Sequence, residues 1–515
     1  MNMLPIAIIT ALLQFQPGSI AGIVKTTAGD PVSKATITLK QDGQQAAASV
    51  LTGSDGSFLF PSIPAGRYRL EAKRTGYMDA AYGKHSRDGA GSAITVAPAA
   101  NLKDLNLTMT AYGAISGRVT DADGEPAGAV SVEALRYSYS GGRSTLTQVK
   151  TISTNDRGEY RLFWLPPGRY YIRCGGSNDI FINTVEGAVA VHLALPDNSG
   201  VRQNVVPTYF PGTPDPQRAS SMDLPPGADY GGVDFTLNPS IGRRVHVTVV
   251  DGNSGQSGPQ RVAALTLVPR NAAAAMDVKR AAANANGDGQ FTAVPPGSYT
   301  LIATGGSPQR GPNDVTRRTG ASIPVDVGDQ DVDVTVNLEP SVNLAGRLTI
   351  EGLPNGTRVD SHPIVSVLGQ GARSTSQGFG DFADFQGNDA FDFVDLIEGD
   401  YSVLVEEIPQ NQYLKSVRFG STDVLSDGLH VDPRAGGTLD IVLAANGGTV
   451  TGTVTDAGRQ PAANLSVTLI PDESRRNRDD LYKKVSTDAA GRFTVQGIAP
   501  GDYTVFAWDN LDPAN

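Results

Sequence analysis

Thr154-Asn155-Asp156-Arg157-Gly158-Glu159-Tyr160, continued by Leu165-Pro166-Pro167-Gly168-Arg169-Tyr170, is the stretch on which the fold is decided. Asn, Asp and Gly are the residues that positive φ angles select, so 155–158 reads as a tight turn. The residues from Tyr160 form a strand, the Pro-Pro-Gly run turns the chain, and Tyr170-Tyr171-Ile172 carries it back, which predicts a hairpin. Working outward, the same Gly-x-Tyr corner recurs as Gly66-Arg67-Tyr68, Gly297-Ser298-Tyr299, Gly399-Asp400-Tyr401 and Gly501-Asp502-Tyr503. Successive tyrosines are 102, 129, 102 and 102 residues apart, a domain-sized period and not a solenoid-sized one. Phe58, Tyr160, Phe391 and Phe493 lie ten residues before their tyrosines, and Phe291 lies eight before its own. The five tyrosines read as core or corner residues.

Each unit opens on an alternating strand: Ile20 to Val24, Ile115 to Val119, Val245 to Val249, Leu344 to Leu348 and Val450 to Val454. Apolar residues alternate with small or polar ones, as in a half-buried antiparallel strand with one face packed and one wet. Second strands such as Val130 to Ala134 and Leu465 to Leu469 follow a turn. Closing strands are found at Leu105 to Met109, Val233 to Leu237, Val332 to Leu338 and Leu439 to Leu443, and none is found for the fifth unit. The pattern predicts an all-β chain, a tandem array of five antiparallel β-sandwich domains of transthyretin-like or Ig-like type, the last incomplete. The expected boundaries are 1–17 for a signal segment, then 18–110, 111–239 with a long insertion at 178–232, 240–340, 341–446 and 447–515. The unfinished fifth unit points to C-terminal truncation or to completion by another chain, because an open sheet edge invites aggregation.

Composition agrees. At about 150 residues per domain, 515 residues predict roughly three to four domains. With 59 glycines, 33 prolines and only 18% charged residues, the chain is rich in turns and poor in long helices. A net charge of −11 gives no electrostatic footprint for nucleic acid or an anionic membrane. The single cysteine, Cys174, cannot form an intrachain disulfide and reads as a small buried apolar residue. The apolar run Leu4 to Leu13 is too short to span a bilayer and fits the hydrophobic region of a secretory signal, which places the protein outside the cytoplasm, in the periplasm, on the surface or beyond. Residues 1–24 contain no Lys or Arg, so a misplaced start or an upstream strand remains the other reading.

Ile115-Ser116-Gly117-Arg118-Val119-Thr120-Asp121, the turn at 154–160 and the corner at 165–170 together resemble the carboxypeptidase regulatory-like domain. The resemblance implies a transthyretin-like (prealbumin-like) sandwich, grouped with carbohydrate-binding-like folds and found in bacterial exported repeat proteins. It is strong in the first, second and fifth units, fair in the fourth and weaker in the third. The Gly-x-Tyr motif speaks for the fold and hardly for an activity.

The residues themselves give no catalytic constellation. His85, His192, His246, His362 and His430 are scattered and form no His-Glu-x-x-His, the elbow and phosphate-loop motifs are missing, and Cys174 has no recognisable partner. Asn284 to Gly289 resembles the start of a calcium loop, but Pro295 stands where a bidentate Glu is needed, so a hairpin turn explains it better. No enzyme, metal or cofactor is expected. Aromatics outside the strand pattern, Tyr77, Tyr82, Tyr209, Phe210 and Trp508, are the candidate ligand-binding residues, since planar rings stack on the apolar faces of sugars. The same rings would equally cover the open end of their own sandwich. Phe379, Phe382, Phe385, Phe391 and Phe393 form a stretch that reads as either a strand or a binding loop. The reading is therefore a non-catalytic, elongated and monomeric exported array that binds a polysaccharide or cell-surface ligand. Its rivals are a structural stalk and a set of accessory folding domains serving an enzyme on another chain.

Overall fold

The structure, a computed structural model, describes residues 16–41, 46–84, 91–140, 143–175, 180–184, 187–191, 206–237, 242–251, 263–270, 278–305, 318–353, 362–369, 380–386, 389–425, 428–432, 434, 436–456 and 458–508. The chain is built of strands, and among the described residues the helical elements are single 3-10 turns such as Pro216–Arg218 and Glu473–Arg475.

Alternation in the sequence becomes two packed layers. In the first segment, Gly18–Thr26 lies between Ser57–Ile63 on one side and Asn101–Leu102 and Leu107–Met109 on the other. The facing sheet runs Ala46–Leu51, Thr36–Gln41, Gly66–Lys73, with Ala80–Ala81 and Ile94–Val96 both on the outer side of Gly66–Lys73. Ile20, Val24, Ile37, Leu39, Phe60, Tyr68 and Leu70 meet between the layers and are all buried. The second segment repeats this plan. Gly113–Thr120 pairs with Glu159–Leu165, Asp229–Tyr230 and Phe235–Thr236, facing a sheet built on Ser131–Ser140 and Gly168–Cys174. In residues 243–340 the two layers join at one edge, where Thr319 pairs with Pro340, giving one folded seven-stranded sheet. Residues 342–444 form sheets of six and four strands, and residues 448–508 form sheets of two and three among the described residues.

Four expectations are corrected. The predicted hairpin is a corner: Glu159–Leu165 and Gly168–Cys174 belong to opposite sheets, as do Ser57–Ile63 and Gly66–Lys73. Alternation tells which side of a strand is apolar but not which layer it joins, and here the turn lifts the chain across the core. The closing strands run parallel to the opening ones, Val24 beside Leu107, Val119 beside Phe235, Val245 beside Val332, because the chain re-enters the first sheet from the second. Within the expected insertion 178–232, residues 206–232 belong to the sandwich. Thr208–Tyr209, Met222–Leu224 and Asp229–Tyr230 occupy the places that Ala80–Ala81, Ile94–Val96 and Asn101–Leu102 hold in the first segment. The expected extended string is also bent back on itself, since the Asn464 side-chain amide donates to the Gly83 carbonyl (3.0 Å) and to Ser92 Oγ (2.7 Å).

The corners share one bond. Each tyrosine hydroxyl donates to the carbonyl four residues earlier: Tyr68 to Pro64 (2.9 Å), Tyr170 to Pro166 (2.5 Å), Tyr299 to Pro295 (2.8 Å), Tyr401 to Ile397 (2.8 Å) and Tyr503 to Ala499 (3.1 Å). A carbonyl at a sheet-to-sheet crossing has no ladder partner, and the phenol supplies one while its ring fills the core. Gly168 sits at φ +143°, which only glycine adopts cheaply, and a side chain there would strike the Arg136 guanidinium. The turns before the corners are tied in the same way. Asp55, Asn155, Asn284 and Asp488 each accept a backbone N–H two residues on, and the carbonyl of the turn glycine receives the opening strand, as in Val119 N–H to Gly158 (2.8 Å). Buried threonines complete the lock: Thr52, Thr154 and Thr487 donate to Val32, Ala127 and Ala462 (2.6, 2.7 and 2.7 Å) and accept from Ala35, Val130 and Leu465 (2.9 Å each).

Tyr170→Phe is expected to lower the stability of the second segment by about 1–3 kcal/mol, the cost of leaving a buried carbonyl without a donor. Gly117→Ala should cost more, because the Val233 carbonyl of the closing strand stands where the new methyl would go. Differential scanning calorimetry of both variants checks the order, and equal or reversed shifts would contradict it.

Candidate functional site

The sequence-derived aromatics do not converge. Tyr77 is held in a turn by its N–H to the Arg74 carbonyl (3.1 Å), its ring half-buried on the first core beneath the Arg74 guanidinium at 5.0 Å. Tyr82 is half-buried on the same core, its backbone tied to Leu70 and Ser92. Phe210 is the counterpart of Tyr82 on the second segment, and Tyr209 that of Ala81, Tyr209 standing opposite Arg173 as Ala81 stands opposite Glu71.

Tyr209 cannot stack on a ligand. It is 0% exposed, packed against Leu135 and Leu146 with the Arg173 guanidinium 6.0 Å from its ring centre. The aromatic run Tyr209-Phe210 reads like a surface loop, but Tyr209 ends the edge strand Thr208–Tyr209 of the Tyr170 sheet, and its ring turns inward. Arg173 in turn forms a buried ion pair with Glu133 (2.5 Å), which fixes it against that ring. Phe210 is half-buried, edge-on to Phe235 with centroids 6.1 Å apart. Trp508 behaves differently. It lies flat on Phe506, centroids 5.2 Å apart and planes 20° from parallel, and both rings are 38% exposed.

An aromatic as exposed as Phe382, Trp164, is not among the sequence-derived candidates. Trp164 is 54% exposed and edge-on to Phe163, itself 38% exposed, with centroids 5.2 Å apart at 76°. A β-bulge opposite Gly113 and Ala114 breaks the two-residue alternation there and sets Trp164 at φ +57°. The same bulge position is occupied by Ala293 (φ +51°), Asp395 (φ +56°) and Gly497 (φ +66°) in later segments. A left-handed conformation costs an L-residue roughly 1–2 kcal/mol. The Lys150 ammonium lies 5.0 Å from the Phe163 ring centre. On the same face, two residues before Phe163, Arg161 holds Asp229 in a two-pronged pair at 2.8 and 3.0 Å. The signal was present in the sequence: two consecutive aromatics cannot both face the core of one strand.

A concavity of about 580 Å³ lies between residues 402–428 and 477–483, lined by Val405, Leu414, Arg478, Asp480, Tyr482 and Lys483 among others. Arg478 and Asp480 are paired at 2.6 Å, and burial pushes the Lys483 amine below its ordinary range against the opposing pull of Asp480.

His246 lies near Asp333 (3.3 Å), His362 stacks on Phe385 (4.5 Å) and His430 bonds Asp400 (2.7 Å), each in a different place, while His85 and His192 fall outside the described residues. Among the described residues no three His, Cys, Asp or Glu side chains are grouped to hold a metal ion. Asn284 spends its carbonyl oxygen on the N–H groups of Asn286 and Asp288, as a turn residue does. In the phenylalanine stretch, Phe391 and Phe393 are core, Phe385 is half-buried, Phe382 is exposed on a strand, and Phe379 lies outside the described residues.

Residues 19–110 and 449–510 match the family model of the carboxypeptidase regulatory-like domain. The chain has no match among curated proteins. Among solved structures it is similar to the Bacillus anthracis TIE protein (11% identity, 82% of this chain and 72% of that one, TM-score 0.16). It is also similar to BcpA, the major pilin subunit of Bacillus cereus (9%, 63% and 100%, TM-score 0.18), and to the shaft pilin SpaA from Lactobacillus rhamnosus GG (10%, 44% and 98%, TM-score 0.22).

Cys174 is fully buried and makes no disulfide, and its desolvation pushes the thiol up to about 12, so the thiolate is scarce at neutral pH. Native protein is expected to resist iodoacetamide at pH 8 and to react fully once unfolded. Rapid labelling of the native chain would contradict the burial.

Proposed function

We propose that this chain is a non-catalytic β-sandwich repeat protein, exported from the cell, that binds carbohydrate or another cell-surface ligand. The observation that supports it best is that planar rings are held in solvent on rigid strands, as in the stacked Phe506–Trp508 pair. Rings so placed gain little stability from packing and are available to a ligand's apolar faces. Tyr77, Tyr82 and Phe210 offer partly open faces to the same end. The match to a regulatory-like domain over residues 19–110 and 449–510 agrees with a role without catalysis. We read the chain as five sandwiches after a signal segment, divided at 17, 110, 239, 340 and 446. No helix among the described residues is long and apolar enough to cross a membrane.

A structural stalk is the second reading, and one feature favours it. Val268 and Ile302 of the third segment are built into the core of the fourth, which makes that joint stiff.

Affinity electrophoresis of the full chain against a panel of bacterial and plant polysaccharides separates the two. Saturable retardation by at least one polymer is the expected result. Uniform failure with folded protein would leave the stalk.

A further inference from the structure

We infer that Phe163, Trp164 and Lys150 form a docking platform for a pyranose chain bearing carboxylates. The inference rests on the carbohydrate reading above and names its site.

The platform begins in the backbone. The bulge recurs in the chain, and Ala293, Asp395 and Gly497 show that its left-handed residue can be small, polar or glycine. At Trp164 the largest side chain takes that strained position and remains more than half exposed, so packing does not repay the strain. The bulge does, however, aim the indole outward beside Phe163. The two rings meet nearly at right angles and form a step, with one open aromatic face and one wall. Such a step suits the flat C–H face of a pyranose ring.

Charge selects the kind of sugar. The Lys150 ammonium lies 5.0 Å from the Phe163 ring centre and the Trp164 ring centre 5.2 Å from it, so Phe163 is neighboured by both a cation and an indole. Among the described residues Lys150 makes no ion pair, and a carboxylate on the sugar would complete it. Arg161 and Asp229, on the same face, present donors and acceptors to the hydroxyls of the next residue of a polymer.

The test is affinity electrophoresis of the full chain in gels containing polygalacturonate or neutral dextran, with wild type, Trp164→Gly and Lys150→Gln, each also followed by thermal unfolding. Polygalacturonate is expected to retard the wild type, with the dissociation constant raised roughly tenfold by Trp164→Gly and severalfold by Lys150→Gln. Trp164→Gly should unfold at the same or a higher temperature than wild type, because glycine relieves the left-handed strain. Undiminished retardation of Trp164→Gly would overturn the site while leaving the carbohydrate reading in place. Retardation by dextran alone would overturn the acidic class, a lowered unfolding temperature would make Trp164 a packing residue, and absence of retardation by either polymer or any in the wider panel would remove both readings.

Discussion

The bond from a tyrosine hydroxyl to the carbonyl four residues before it holds the rest of this structure in place. At each corner the chain leaves one sheet for the other, and the crossing exposes a carbonyl to the core with no neighbouring strand to satisfy it. The tyrosine closes that gap and, with the same side chain, occupies the space between the layers; Tyr68, Tyr170 and Tyr401 are almost wholly buried. Once the corner is set, the register of both sheets follows. The strand before it pairs with the opening strand and the strand after it with the second one, at the same offsets in the first and second segments.

Much of this was legible in the residues. Gly-x-Tyr, the Asn/Asp/Gly turns and the alternating runs gave the all-β class and the placing of the corner tyrosines, because each depends on local stereochemistry. What failed was long-range: a corner looks like a hairpin when only the strands and the turn between them are visible. Parallel pairing of the closing strand was hidden for the same reason, since the sequence of Leu107–Met109 is the same whichever way its neighbour runs. The span 178–232 looked like an insertion because those of its strands that join the sandwich are only two or three residues long, below the length at which alternation can be seen. The threonine lock was present as Thr-x-x-x-Gly at Thr52, Thr154 and Thr487, but a threonine four residues before a glycine carries no meaning until its two backbone partners are known.

The site was less legible than the fold. Aromatics were sought outside the strands, on the physical ground that strand aromatics belong to the core. Tyr209 defeats that rule in one direction and Trp164 in the other, the first buried by a short edge strand and the second exposed by a bulge. In both cases one residue of irregularity decides which way a ring faces. Trp508 is exposed and stacked on Phe506, two residues away on the same strand face.

Scaffold and site are thus products of the same device: rigid corners fix the strands, and departures from their regular pairing turn selected rings to solvent. The chain has two tryptophans, and both are exposed, Trp164 at a bulge and Trp508 on a regularly paired strand. Tryptophan fluorescence during titration with polygalacturonate oligosaccharides therefore reports directly on the rings in question. The account predicts a red, solvent-type emission from the free protein that shifts to the blue and saturates as ligand is added. Emission that is already blue in the free protein, or that stays unchanged at saturating oligosaccharide, would contradict it.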